Sequence, residues 1–140
     1  MDPGGCICAS LRQAARAVTQ AYDTALRPAD LTATQFTVLA TLTRHPDLPL
    51  TKLAQILVMD RTTLTRTLKP LVDKGLVRIE PGKDQRVRTV GLSEAGRARL
   101  AEALPLWRRA QTRLVERLGR TRWSGLLDDL AATVTFAQEQ

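Results

Sequence analysis

The stretch from Leu50 to Leu92 constrains the fold most, because its apolar pattern changes period inside one short run. Residues 52–57 read as a short helix that Thr51 would cap. Leu64, Leu68, Leu71 and Val72 then recur at helical spacing and fall on one face. Thr62, Thr65, Arg66 and Lys69 are spaced i, i+3, i+4, i+7 on roughly the opposite face, which carries cations and hydroxyls and no carboxylate. Further on the period drops to two. Val77 and Ile79 alternate with Arg78 and Glu80, and Val90 and Leu92 alternate with Thr89 and Gly91, so 76–80 and 86–92 read as strands. Pro81-Gly82 supplies turn chemistry between them. A short helix, a turn, a second two-faced helix and a hairpin predict a winged helix-turn-helix.

Charge points the same way. Residues 61–88 hold eight Lys and Arg against three Asp and Glu, which gives +5 of the chain's net +7. Positive charge gathered on one element is an electrostatic footprint for an anionic partner. Phosphate oxygens attract the cations, and base edges in the major groove offer partners for Arg, Lys and Thr. The candidate nucleic-acid contacts on the helix are Arg61, Thr62, Thr63, Thr65, Arg66 and Lys69; those at the hairpin tip are Lys83, Asp84, Arg86 and Arg88. The competing reading of the helix alone is an ordinary solvated polar face.

Several short motifs, in order along the chain, make the pattern specific. Thr32-Ala-Thr-Gln35-Phe36 opens one helix, Asp60-Arg-Thr-Thr-Leu-Thr-Arg-Thr-Leu opens another, Asp84-Gln-Arg86 sits in the hairpin tip, and Leu92-Ser-Glu-Ala-Gly96 follows it. With these motifs the chain resembles the MarR family of bacterial transcriptional regulators over nearly its whole length. The resemblance implies that Arg86 enters the minor groove while Asp84 braces it by an ion pair. A narrow minor groove has enhanced negative potential, which suits an inserted arginine.

The rest of the chain is helical in pattern. Leu11, Ala14, Ala15, Val18, Tyr22, Ala25 and Leu26 form a stripe in a helix over about 7–26 that Pro28 ends. Thr32 and Gln35 form a capping box for the next helix, in which Phe36, Leu39, Ala40 and Thr43 would face inward. That helix should end near His45-Pro46, with Asp47-Leu-Pro as a loop. Asp60 is the expected N-cap of the second helix of the motif. Pro70 should bend that helix without ending it, and Gly75 should stop it. Ser93 should cap a long helix over 94–118, kinked at Pro105 and ended by Gly119, before a last helix over 123–137. The fold class expected is therefore mainly α with a small β-hairpin wing. We expect one domain over 1–140, a winged helix-turn-helix over 31–92, and dimerisation helices over 7–27 and 94–138. The terminal helices carry more apolar surface than a small winged domain covers, and the family answer is a homodimer. A dimer also places two reading helices on a pseudo-palindrome. The alternative is a larger monomer folded back on itself.

Composition excludes several classes. Hydrophobic residues make up 44% of 140, enough for a packed core. No apolar run spans a bilayer and no signal peptide is visible, so a cytoplasmic location is expected and membrane partners are not. One histidine, no Ser/His/Asp set and no Gly-rich phosphate loop argue against an enzyme; neither catalytic residues, a metal nor a cofactor is expected. Asp128-Asp129 reads as a solvated helix edge.

The two cysteines leave alternatives open. Cys6 and Cys8 lie at the start of the first helix, where the dipole and Arg12 favour a thiolate. They can equally serve as small apolar residues at a dimer interface, and C-x-C with His45 is a poor zinc set. A subgroup of the resembled family, the organic-hydroperoxide regulators, senses through a cysteine that aligns with Cys8, and Tyr22 then aligns with the tyrosine that bonds the thiol. A second tyrosine of that subgroup is replaced by Ala33, and no cysteine lies near the C-terminus to resolve a sulfenic acid. The expected function is a dimeric, sequence-specific DNA-binding repressor released by a small aromatic or phenolic ligand. The alternative is a thiol-based repressor switched by oxidation of Cys8, with Cys6, Cys8 and Tyr22 as its site.

Overall fold

A computed structural model describes residues 1–139; Gln140 lies outside the described residues. Six α-helices and three short strands follow one another as α1 Ile7–Leu26, α2 Ala33–Arg44, β1 Leu48–Pro49, α3 Leu50–Leu57, α4 Arg61–Asp73, β2 Val77–Pro81, β3 Arg88–Leu92, α5 Glu94–Leu118 and α6 Arg120–Gln138. This is the mainly α winged helix-turn-helix that the pattern predicts.

Local chemistry sets most of the boundaries. Thr32 accepts from the Gln35 amide while the Gln35 side chain accepts from the Thr32 amide, so both halves of the capping box form at α2. The Asp23 carboxylate, from α1, accepts from the Ala33 amide at 2.7 Å and ties the two helices together. Helix α4 runs through Pro70 and closes in a Schellman motif: the Leu76 amide reaches the Leu71 carbonyl, the Gly75 amide reaches Val72, and Gly75 takes φ 71°. Helix α5 runs through Pro105 to Gly119.

The boundaries that differ do so for identifiable reasons. Asp47-Leu-Pro is not a free loop, because Leu48 and Pro49 pair with Val90 and Thr89 and add a third strand, giving the order β1-β3-β2. Thr51 does not cap α3. The chain leaves β1 at Pro49, whose extended backbone already occupies the N-cap position, so Thr51 falls inside the helix. Helix α6 starts at Arg120 rather than 123, because Gly119 ends α5 and opens α6 at once. Pro81 belongs to β2, where it forms the last pair, with Arg88, before the tip of the hairpin.

The core gathers beneath α4. Val38, Leu39, Leu42, Leu53, Leu64, Leu68, Leu71, Leu76 and Val90 are all essentially inaccessible. Full burial of such a side chain contributes about 1.5–3 kcal/mol each. Helix α2 is central, so it buries Val38, Thr41 and Leu42 as well as the expected Phe36 and Leu39, and it leaves Thr43 exposed. Thr41 survives burial because its hydroxyl donates to the Thr37 carbonyl at 2.8 Å. Val72, expected inside, is exposed: Leu71 takes the inward position and the last turn carries Val72 outward.

Outside that core the terminal helices are thinly covered. Among the described residues α6 buries none, and Val18 on α1 is exposed together with Leu126, Leu127 and Val134 on α6. A polar knot joins the two parts. Asp30, at φ 54° in the α1–α2 connection, pairs with Lys74 after α4 at 3.1 Å and with Arg99 of α5 at 3.8 Å.

Candidate nucleic-acid interface

Helix α4 is displayed by its cap and its core stripe. The Asp60 carboxylate accepts from the Thr63 amide at 2.7 Å and from the Thr63 hydroxyl at 3.1 Å. These bonds favour the charged form and hold the Asp60 carboxyl below its ordinary range, the backbone bond being the larger cause. Leu64, Leu68 and Leu71 anchor the inner face, so Arg61, Thr62, Thr63, Thr65, Arg66 and Lys69 all lie exposed.

Two details depart from the sequence reading of this face. Thr63 is both exposed and engaged with its own cap, so its hydroxyl is already partnered. The face also meets a carboxylate: Lys69 pairs with Asp73 one turn on, at 2.9 Å. The i, i+4 spacing of the two residues is visible in the sequence and was the available signal. Both side chains are well exposed, and an ion pair of this kind contributes little to stability and exchanges readily for a phosphate.

The wing extends the basic surface. Strand β2 pairs with β3 through Val77 with Leu92, Ile79 with Val90 and Pro81 with Arg88. Between them the Gly82 amide donates to the Val87 carbonyl at 2.6 Å and the Val87 amide to the Asp84 carbonyl at 2.9 Å, which folds the tip into a tight loop. The Asp84 carboxylate accepts from the Arg86 amide at 3.0 Å, and its Oδ1 lies 3.9 Å from Arg86 Nε. One carboxylate therefore shapes the turn and stands beside the guanidinium. The Arg86 side chain is 94% exposed. Lys83 and Arg88 are exposed beside it.

The motif after the wing is a joint. The Ser93 hydroxyl accepts from the Gly96 amide and donates to the Gly75 carbonyl at 2.6 Å, and the Ser93 amide donates to Leu76. A Cβ on Gly96 would lie 2.1 Å from the Leu76 carbonyl oxygen, so only glycine lets α5 approach the end of α4 this closely. Helix α4, the wing and the long helix α5 meet at this point.

The cysteine group does not assemble within one chain. Cys6 and Cys8 are both exposed free thiols. Cys8 and Tyr22 sit on the same helix, fourteen positions and therefore about 21 Å apart along its axis. The Tyr22 hydroxyl instead donates to the Gln111 side chain of α5, and partial burial raises its pKa.

Sequence reasoning missed what surrounds Tyr22. Phe36 and Trp107 stack with centroids 5.7 Å apart. With Val18, Tyr22, Leu26 and Thr37 they line a cleft of about 220 Å³ between α1, α2 and α5. Tyr22, Leu26, Phe36 and Trp107 turn inward on their helices, but no local spacing marks Phe36 and Trp107 as neighbours.

Comparison with known proteins agrees with this architecture. The sequence profile of the MarR family matches residues 31–87. The chain is 40% identical to the Mycobacterium tuberculosis transcriptional regulator MosR, solved in complex with DNA, covering 96% of this chain and 97% of that one with a TM-score of 0.89. It is 31% identical to the transcriptional repressor CouR bound to a 23-mer duplex, covering 94% of each chain at a TM-score of 0.84. It is 26% identical to a cysteine-to-serine variant of Escherichia coli MarR complexed with operator DNA, covering 91% and 92% at a TM-score of 0.81. No curated protein sequence matches it. With the winged helix-turn-helix, the basic wing and these relatives in agreement, the chain belongs to the MarR family of transcriptional regulators.

Proposed function

We propose that this regulator is a homodimeric, sequence-specific repressor that reads a pseudo-palindromic duplex. In this reading Arg61, Thr62, Thr63, Thr65, Arg66 and Lys69 meet the major groove and its phosphates. Arg86 enters the minor groove with Asp84 beside it, and Lys83 and Arg88 hold the backbone. The observation that carries it is the run of exposed cations on α4 and the wing, with the Arg86 side chain 94% exposed at a tip whose turn Asp84 shapes. The relatives solved with DNA support it, and CouR's description as a repressor supports the direction of control. The exposed apolar side chains of α1 and α6 support the dimer.

Release by a small aromatic ligand has a physical basis in the Phe36–Trp107 cleft. A cavity of about 150 Å³ is enough for benzene, so about 220 Å³ fits one substituted ring. The Tyr22 hydroxyl and its Gln111 partner offer polar contacts for a phenol. Oxidation of Cys8 is the weaker reading, because Tyr22 is bonded to Gln111 and, among the described residues, the Cys8 thiol is free and exposed.

Fluorescence anisotropy on duplex from upstream of the protein's own gene tests the assignment. Binding should be tight and fall steeply with salt. It should weaken on adding 4-hydroxybenzoate and stay unchanged after stoichiometric organic hydroperoxide. Binding that survives Arg86→Ala with the same affinity and salt slope would remove the wing from the interface. Loss on hydroperoxide with recovery on thiol would replace the ligand reading with the redox one.

A further inference from the structure

A second cleft, of about 670 Å³, lies between the end of α1 and the middle of α5. Ala25, Pro28 and Leu106 give it an apolar wall, and Arg108, Arg109 and Arg113 bring three guanidinium groups to it. We propose that this cleft binds an organic phosphate, a small molecule with an apolar body and a phosphoryl group.

The argument rests on charge and shape together. Among the described residues none of the three arginines makes an ion pair or a side-chain hydrogen bond, whereas Arg99 on the same helix is held by Asp30 and the Ala29 carbonyl. Arg109 and Arg113 are i, i+4 neighbours, so their like charges repel and destabilise the empty helix slightly. A dianion placed between them removes that cost. Guanidinium forks match phosphoryl oxygens bidentately, which favours phosphate over a singly charged carboxylate that one fork would satisfy. The cleft is open to solvent but large enough for a small organic molecule, and its apolar wall gives the body of that molecule a surface to lie against. The cleft shares no residue with the Phe36–Trp107 cleft, with α4 or with the wing. It is therefore a separate site and is testable without DNA.

Calorimetric titration of the 140-residue chain with 1-naphthyl phosphate, against 1-naphthol and inorganic phosphate, decides it. The phosphate ester should saturate one site per chain, at least tenfold tighter than either control. Affinity should fall at least tenfold in an Arg109→Gln/Arg113→Gln variant whose circular dichroism and melting temperature match the parent. Should that variant fail to fold, Arg109→Lys keeps the charge, removes the fork and should still lose affinity severalfold. No saturable binding, equal affinity for 1-naphthol, or unchanged affinity in the arginine variants would each overturn the proposal. So would sedimentation showing that Arg109→Gln/Arg113→Gln converts a dimer to monomers, since the arginines would then face a second copy of the chain.

Discussion

Three residues carry backbone and capping requirements that single substitutions can expose. Val58 ends α3 at φ 54°, in a left-handed position that glycine usually fills, and its side chain is 57% exposed. The Met59 amide still reaches the Ala54 carbonyl at 2.9 Å, so the turn is built despite a β-branched residue. Val58→Asn should therefore stabilise the fold by about 1 kcal/mol, read as a higher urea midpoint at unchanged slope. A lower midpoint would mean that Val58 packs on something this chain does not show. Gly96 is the opposite case. Gly96→Ala puts a methyl against a backbone carbonyl that cannot move alone, and should cost about 3 kcal/mol or prevent folding; a melting temperature within a degree of the parent would contradict the close approach. Asp60 gives a pH dependence. Its folded pKa is depressed below the unfolded value, so the cap contributes fully above the ordinary carboxylate range and its contribution fades as pH falls through the folded pKa. Asp60→Asn should remove that acid-side component of unfolding while changing little near neutrality. Identical acid profiles for the two proteins would show that Asp60 contributes nothing to the acid transition.

At the scale of elements, the proposed interface would divide positioning and reading between α4 and the wing. Lys83→Ala removes one cation from an exposed tip without touching the hairpin ladder, so affinity should fall on every duplex and the salt slope should flatten by about one. Arg66→Ala removes a side chain with more than charge to offer, and should also blur the preference among duplexes by about 1–3 kcal/mol at one position. If both variants lost affinity uniformly, α4 would be gripping phosphate and reading no base. The elements involved were largely legible in the sequence because their signals are local. Thr32, Asp60 and Ser93 announce helix starts within three residues, Gly75 and Gly119 announce ends, and period-two alternation marks β2 and β3. What was not legible depends on distant partners. Two residues, Leu48 and Pro49, become a strand only because Val90 and Thr89 lie alongside, and Tyr22 finds Gln111 across 89 positions. The aromatic cleft is hidden for the same reason: a stripe shows which residues turn inward, not which of them leave a gap.

At the scale of the molecule, the distribution of burial argues that one chain is not the finished object. The winged region is closed, with a leucine-rich core under α4, while among the described residues α6 buries none and shows Leu126, Leu127 and Val134 to solvent. A nineteen-residue helix with so little tertiary support would be marginal alone, since helices in proteins owe most of their stability to a packed face. A second copy that covered this face would supply the missing packing and set the separation of two α4 helices. The two requirements can be separated by one substitution on α6, far in sequence from α4. Leu127→Asp places a charge on the apolar face and leaves the winged region's core intact, so the near-neutral melting transition of that region should persist while sedimentation shows monomers. Duplex binding should then weaken by about a hundredfold or more, the loss expected when two linked contacts become one. A variant that stayed dimeric would move the subunit contact away from this face of α6. A monomeric variant with undiminished affinity would mean that one α4 and one wing suffice for recognition.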